Sequence, residues 1–152
     1  MITHLSEWAK RKPQAPFFCV QGDKQSIEYS YRRAHIAAAA LARELECYGM
    51  TANGTLACTM YNGTELVLLS LAAAYGGYTL ALLNPRLSAD ERQLRLVELE
   101  NATGEHGMDV LTNQMVNRLL IDATGFDATG FGLLPDDAAV LTRLQVELEQ
   151  TV

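Results

Sequence analysis

The side chains here that could do chemistry are few and scattered. Cys19, Cys47 and Cys58 are odd in number and widely spaced, and no CxxC pair or Cys/His cluster exists. That pattern argues against a zinc centre and against a disulfide framework. A nucleophilic thiolate needs a base or a cation beside it, and His4, His35 and His106 show no partner at readable spacing. Cys19 and Cys58 fall in apolar, strand-like runs and are expected to be small buried hydrophobes. The tandem Asp122-Ala-Thr-Gly-Phe126 and Asp127-Ala-Thr-Gly-Phe131 invites a phosphate-cradle reading. A phosphate loop of that kind needs a lysine after its glycines, and the chain has none after Lys24. A glycine-rich loop is the expectation. Lys10-Arg11-Lys12 is the one cationic cluster, and at the C-terminal end of a first helix it complements the helix dipole.

The elements that would position these groups alternate. Ile2, Leu5, Trp8 and Ala9 have helical spacing, and Pro13 stops the run. Residues 17–20 and 26–29 read as two strands around a turn at 21–24. Ser30 caps a long helix reaching Tyr48, with Ala34, Ala37, Ala38, Leu41, Leu45 and Tyr48 on one face. Leu56 to Met60 is a strand, Asn62-Gly63 a turn, and Thr64 the cap of a helix reaching Tyr75. A strand from Tyr78 to Leu83 follows, then the loop Asn84-Pro85-Arg86-Leu87. Ser88 and Glu91 have capping-box spacing for a helix running to about Glu100. Asp109 to Thr112 reads as a strand, Met115 lies in a short helix, and Leu119-Leu120-Ile121 is a weaker strand. Strands alternating with helices indicate crossover units, so the expected fold is α/β, three-layered, with a mostly parallel sheet.

The 152 residues are 49% hydrophobic and 20% charged, an ordinary composition for one domain with a real core. A formal net charge of −6 argues against nucleic-acid or anionic-membrane partners, because no basic stripe exists to displace counterions. The apolar stretch from Leu66 to Leu83 is broken by Gly76-Gly77 and by Ser70, Tyr75, Tyr78 and Thr79, so it is not a membrane span. With no signal-peptide pattern at the start, a cytoplasmic location is expected.

The most specific string is Leu82-Leu83-Asn84-Pro85-Arg86-Leu87 with Glu91 behind it. It resembles the LNPRL-x-x-x-E segment of acyl- and aryl-CoA ligases in the adenylate-forming superfamily. Within it, 2-succinylbenzoate–CoA ligases of menaquinone synthesis and 4-chlorobenzoate–CoA ligases are the most similar groups. The surrounding order agrees. Trp8-Ala9 through Ala15-Pro16, Gln25 to Tyr29, Leu41-Ala42 with Gly49-Met50, Asn53 to Ala57, and Asn62, Glu65 and Leu71 to Gly77 all fall in register with the family pattern. Past Glu100 the similarity thins. Leu134 to Thr142 resembles the lead-in to the ATP-phosphate loop, but where the family reads TSGTTGxPK this chain reads Arg143 to Val152, with Leu141, Leu144 and Leu148 at helical spacing. The resemblance implies a single N-terminal lobe over 1–142 and a divergent helical tail over 143–152.

The resemblance also implies chemistry: a carboxylate is activated by ATP to an acyl-adenylate, and the acyl group then passes to CoA. ATP, magnesium and CoA are therefore implied for a full-length relative. The phosphate loop, ribose-binding aspartate and catalytic lysine of the pattern have no counterpart here, so no catalytic residue and no metal ligand carries over. Arg86 carries over as a contact for a CoA phosphate, on a loop that Asn84 shares. A plainer reading stands beside it, with Arg86 paired to Asp90 or capping a carbonyl while Asn84 and Pro85 shape the turn. The expected partners are a further copy of the chain or the remaining ligase portion. A stand-alone, non-catalytic interaction module is the alternative function.

Overall fold

The computed structural model describes residues 2–21, 26–105 and 110–125. Helix α1 (Ile2–Arg11) buries Leu5 and Ala9 at i, i+4 spacing and ends on Lys10 and Arg11, as the dipole favours. Trp8 keeps 40% of its surface exposed, stacking on Tyr31 at 5.8 Å with the Lys12 ammonium 5.4 Å from its ring. Strands β1 (Pro16–Gln21) and β2 (Ser26–Ser30) form an antiparallel ribbon with an irregularity between Pro16 and Phe18.

Helix α2 (Tyr31–Cys47) is the axis of the molecule. Ser30 caps it, its hydroxyl accepting from the Arg33 N–H at 3.2 Å. Ala34, Ile36, Ala37, Ala38, Leu41 and Leu45 are all buried, and the short alanine side chains let α1 and the helices at Thr64–Gly76 (α3) and Asn113–Thr124 (α5) approach closely. Helix α3 (Thr64–Gly76) contributes Leu68, Leu69, Ala72 and Ala73 to the same core.

Strand β3 (Thr55–Thr59) lies between β4 (Thr79–Leu83) and β5 (Val110–Leu111), parallel to both. Side-by-side residues of parallel strands share a face. Leu56, Cys58 and Leu111 accordingly join Leu41, Leu68, Val116 and Leu120 in one cluster. Burial pushes the Cys58 thiol up, so it stays protonated and serves as packing. The step from β3 through α3 to β4 runs one way across the sheet, and the return through α4 (Ala89–Thr103) to β5 runs the other. Right-handed crossovers place those two helices on opposite faces. The α/β fold with a parallel sheet between helices is the one the alternation predicts. Helix α4 buries no residue, and Leu94 and Val97 stand 65% and 43% exposed.

Five local expectations are corrected. Residues 113–124 form one helix, α5 (Asn113–Thr124), rather than a short helix and a strand at 119–121. Val116, Leu120 and Thr124 are its buried stripe at i, i+4 spacing, a period that three consecutive apolar residues had hidden. Cys19 is exposed. The ribbon has one solvated side, and Phe18, stacked on Tyr29 at 4.9 Å, takes the packed side. Thr64 is the first residue of α3, not its cap; Gly63 holds that place and makes no side-chain bond. Tyr48 is 71% exposed, because the chain leaves the helix at this residue and turns through Gly49 at φ +98°. Tyr78, placed in the strand, precedes it: it is buried, and its hydroxyl donates to the Ala42 carbonyl at 3.2 Å. The helix start at Ser88 and the ends near Gly49 and Gly77 fall where expected. Residues 22–24 of the expected turn, Asp109, Phe126 and the second copy of the tandem, the 134–142 segment and the 143–152 tail lie outside the described residues.

Between α2 and α3, the Tyr75 hydroxyl and His35 Nδ1 share a hydrogen bond of 2.5 Å. Burial pushes the Tyr75 phenol from 10.0 up to about 12. The folded pKa is raised, so the contribution to stability is complete below pH 10 and is lost as pH rises from 10 toward 12. Tyr78, raised by burial and by Glu46, adds slope of the same sign. Thermal melts across that window should therefore fall steeply for the natural chain and less steeply for Tyr75→Phe. Equal slopes would show that Tyr75 ionises as freely folded as unfolded.

Candidate functional site

Parallel strands bring all their C-terminal ends to one edge, which is where open α/β sheets bind ligands. Here the loops that follow β3, β4 and β5 meet that edge: Met60 to Gly63, Asn84 to Ser88, and Thr112 with Asn113. With the connections from β3 and β4 running in opposite directions across the sheet, the ends of these adjacent strands are where the topological rule expects a ligand.

The loop after β4 is shaped by its own asparagine. Asn84 Oδ1 accepts from the Arg86 N–H at 2.9 Å, and the Asn84 carbonyl accepts from the Leu87 N–H at 3.2 Å. This is the Asx-type turn an Asn-Pro sequence favours. Ser88 then caps α4, accepting from the Glu91 N–H at 3.2 Å while its hydroxyl donates to Glu91 Oε1 at 3.0 Å. The anticipated spacing thus becomes a real cap, and Glu91 is engaged by it. Arg86 itself is exposed, and among the described residues its guanidinium forms no ion pair, with Asp90 or any other carboxylate. Asn84 is a shaping residue whose carboxamide oxygen is already used. Arg86 is left at the C-terminal edge of the sheet as a cation with no ion pair among the described residues.

Two residues of this edge were not singled out in the sequence. The Tyr61 N–H donates to Asn113 Oδ1 at 3.0 Å, and Asn113 Nδ2 donates back to the Tyr61 carbonyl at 3.2 Å. The main-chain donor and acceptor fix the amide orientation without ambiguity. This clasp joins the β3 loop to the first turn of α5, 52 residues away. Nothing local announces it: Tyr61 was readable as a loop residue after a strand, but its partner was not. Among the described residues, no group of three or more His, Cys, Asp or Glu side chains is placed to hold a metal ion.

A family profile described as AMP-binding enzyme matches residues 5–102, most of the chain and all of the Asn84–Arg86 loop. The chain belongs to the AMP-binding enzyme family. Solved structures agree on the fold. The N-terminal subdomain of Klebsiella oxytoca NpsA, in complex with 3-hydroxyanthranilyl-AMSN, superposes with a TM-score of 0.63 at 19% identity, covering 90% of this chain and 34% of that one. O-succinylbenzoate coenzyme A synthetase (MenE) from Bacillus subtilis, in complex with ATP and magnesium ion, gives 0.60 at 21% identity over 76% of this chain and 33% of that one. A fatty acid AMP ligase from Legionella pneumophila gives 0.65 at 14% identity, covering 99% of this chain and 24% of that one. No curated protein matches the sequence. This member of the AMP-binding enzyme family therefore spans 24–34% of the length of the solved relatives named here. No helix among its described residues is long and apolar enough to cross a membrane.

Proposed function

We propose that this chain is the N-terminal portion of an ATP-dependent acyl- or aryl-CoA ligase, with 2-succinylbenzoate, the acid of menaquinone synthesis, as the first substrate to try. The observation that carries the reading is Arg86. Its guanidinium, which makes no ion pair among the described residues, stands on an Asn84-built turn at the C-terminal edge of the sheet, inside the stretch that matches the family. A planar fork of donors suits a phosphate, and CoA is the phosphate-bearing partner of such a ligase. Among the described residues no group of three or more His, Cys, Asp or Glu side chains is placed for magnesium, and this reading assigns the steps that use ATP to other residues. We expect the chain on its own to show no adenylation activity.

Two measurements test this. Pyrophosphate release from ATP with a panel of carboxylates should stay at background for the isolated chain; carboxylate-dependent turnover would overturn its inactivity. Calorimetry with CoA should show binding that weakens about tenfold in Arg86→Ala, the loss of one charge-assisted contact. Equal affinities would remove Arg86 from the site.

The alternative is an interaction module without catalysis, and a specific observation favours it. Leu94 and Val97 are exposed on α4, and exposed apolar side chains there invite association. Light scattering at micromolar concentration should then report a dimer or larger species. A monomeric mass would remove this reading.

A further inference from the structure

At the same edge of the sheet, one large ring stands in solvent on a backbone that cannot move freely. Tyr61 is 60% exposed, and both its N–H and its carbonyl are held by Asn113. Among the described residues no other ring or cation lies against it, and it is not a member of the core cluster. A lone exposed tyrosine means little by itself. Its neighbour gives it meaning. Thr59 and Leu83 are the last paired residues of β3 and β4. Tyr61 is two residues past the first and Arg86 three past the second, on strands about 4.8 Å apart. A planar ring on a pinned backbone and a guanidinium with no ion pair among the described residues therefore follow the ends of neighbouring strands.

One kind of ligand uses both: a planar base whose own sugar carries phosphate. We infer that Tyr61 is a stacking platform for the base of a purine nucleotide whose phosphate Arg86 takes, the adenosine end of CoA being the case at hand. The inference rests on the reading of Arg86 given above. The ring supplies a π-face, which binds a base without hydrogen-bond readout, and the Asn113 clasp holds the backbone that carries the ring. Asn113 is the positioning residue.

The test uses the whole chain, calorimetry, and two probes, CoA and base-free pantetheine, with Tyr61→Ala, Tyr61→Phe and Arg86→Ala. Tyr61→Ala should weaken CoA about tenfold, Tyr61→Phe should match the natural chain, and pantetheine should bind all the Tyr61 variants alike. Raising salt should erode the Arg86 contribution and leave the Tyr61 contribution in place. If Arg86→Ala weakens CoA and Tyr61→Ala does not, the platform is wrong and the arginine reading survives. If Tyr61→Ala weakens CoA and Arg86→Ala does not, the arginine reading falls and the platform stands. If Tyr61→Phe loses as much as Tyr61→Ala, the hydroxyl is the contact and stacking is overturned. Absence of CoA binding by the natural chain overturns both. Tyr61 is exposed, so unchanged melting temperatures should accompany the binding changes.

Discussion

Leu120→Ala should cost about 2–5 kcal/mol of unfolding free energy, the range for emptying a fully enclosed leucine site. Leu120 has no exposed surface and packs with Val116 and Leu111 against the core of α2 and α3. Its neighbours make the measurement decisive. On a helix, Leu119 and Ile121 flank the buried stripe and stay partly exposed, as they are here. On a strand they would share one face and Leu120 would occupy the other. Urea titrations of the three alanine variants should therefore give a large loss at 120 and clearly smaller losses at 119 and 121. Comparable losses at 119 and 121 would mean that α5 does not pack as described.

Gly76→Ala should also destabilise, by about 2 kcal/mol, although alanine is the better helix former. Helix propensity alone favours alanine by up to about 1 kcal/mol. Against that, a Cβ at Gly76 would fall inside the van der Waals envelope of Tyr78 atoms Cζ, Cε1 and Cε2. A loose side chain would swing aside cheaply. Tyr78 is not loose: it is buried, and its hydroxyl donates to the Ala42 carbonyl on α2. Moving the ring breaks that bond and opens the packing between two helices, the overpacking penalty of about 1–3 kcal/mol plus the lost bond of about 1. A double-mutant cycle with Tyr78→Leu, followed by chemical denaturation, should show a favourable coupling, because the smaller chain releases the clash. A neutral or stabilising Gly76→Ala would show that the ring is free to move.

These two sites mark what the sequence could and could not convey. Signals carried within four residues were readable. Ser30 and Ser88 announced their helices through hydroxyls that accept from Arg33 and Glu91. Gly77 announced the end of α3, where φ of +73° requires a residue without a Cβ. The alternation of strands and helices gave the parallel sheet, and Asn84-Pro85-Arg86-Leu87 marked the loop at its edge. Signals that depend on a distant partner were not readable. Leu119 to Ile121 is apolar at every position, so its period appeared only once α2 was beside it. Cys19 lies in an apolar run but on the solvated side of a two-stranded ribbon. The hold of Asn113 on Tyr61 depends on β5 and β3 being neighbours, which no local pattern states. Half of the candidate site was thus visible as a motif, and the other half is a product of topology.

Helix α4 has one more implication. None of its residues is fully buried, an Arg95–Glu98 pair lies on its surface, and it contributes no residue to the core cluster. The core around α2 loses little when α4 opens, so this helix is the cooperative unit most able to unfold by itself. Its first turn is built on Ser88, two residues from Arg86. Whatever orders α4, whether a ligand at that turn or a surface laid against Leu94 and Val97, therefore also steadies the arginine, and the two events are thermodynamically coupled.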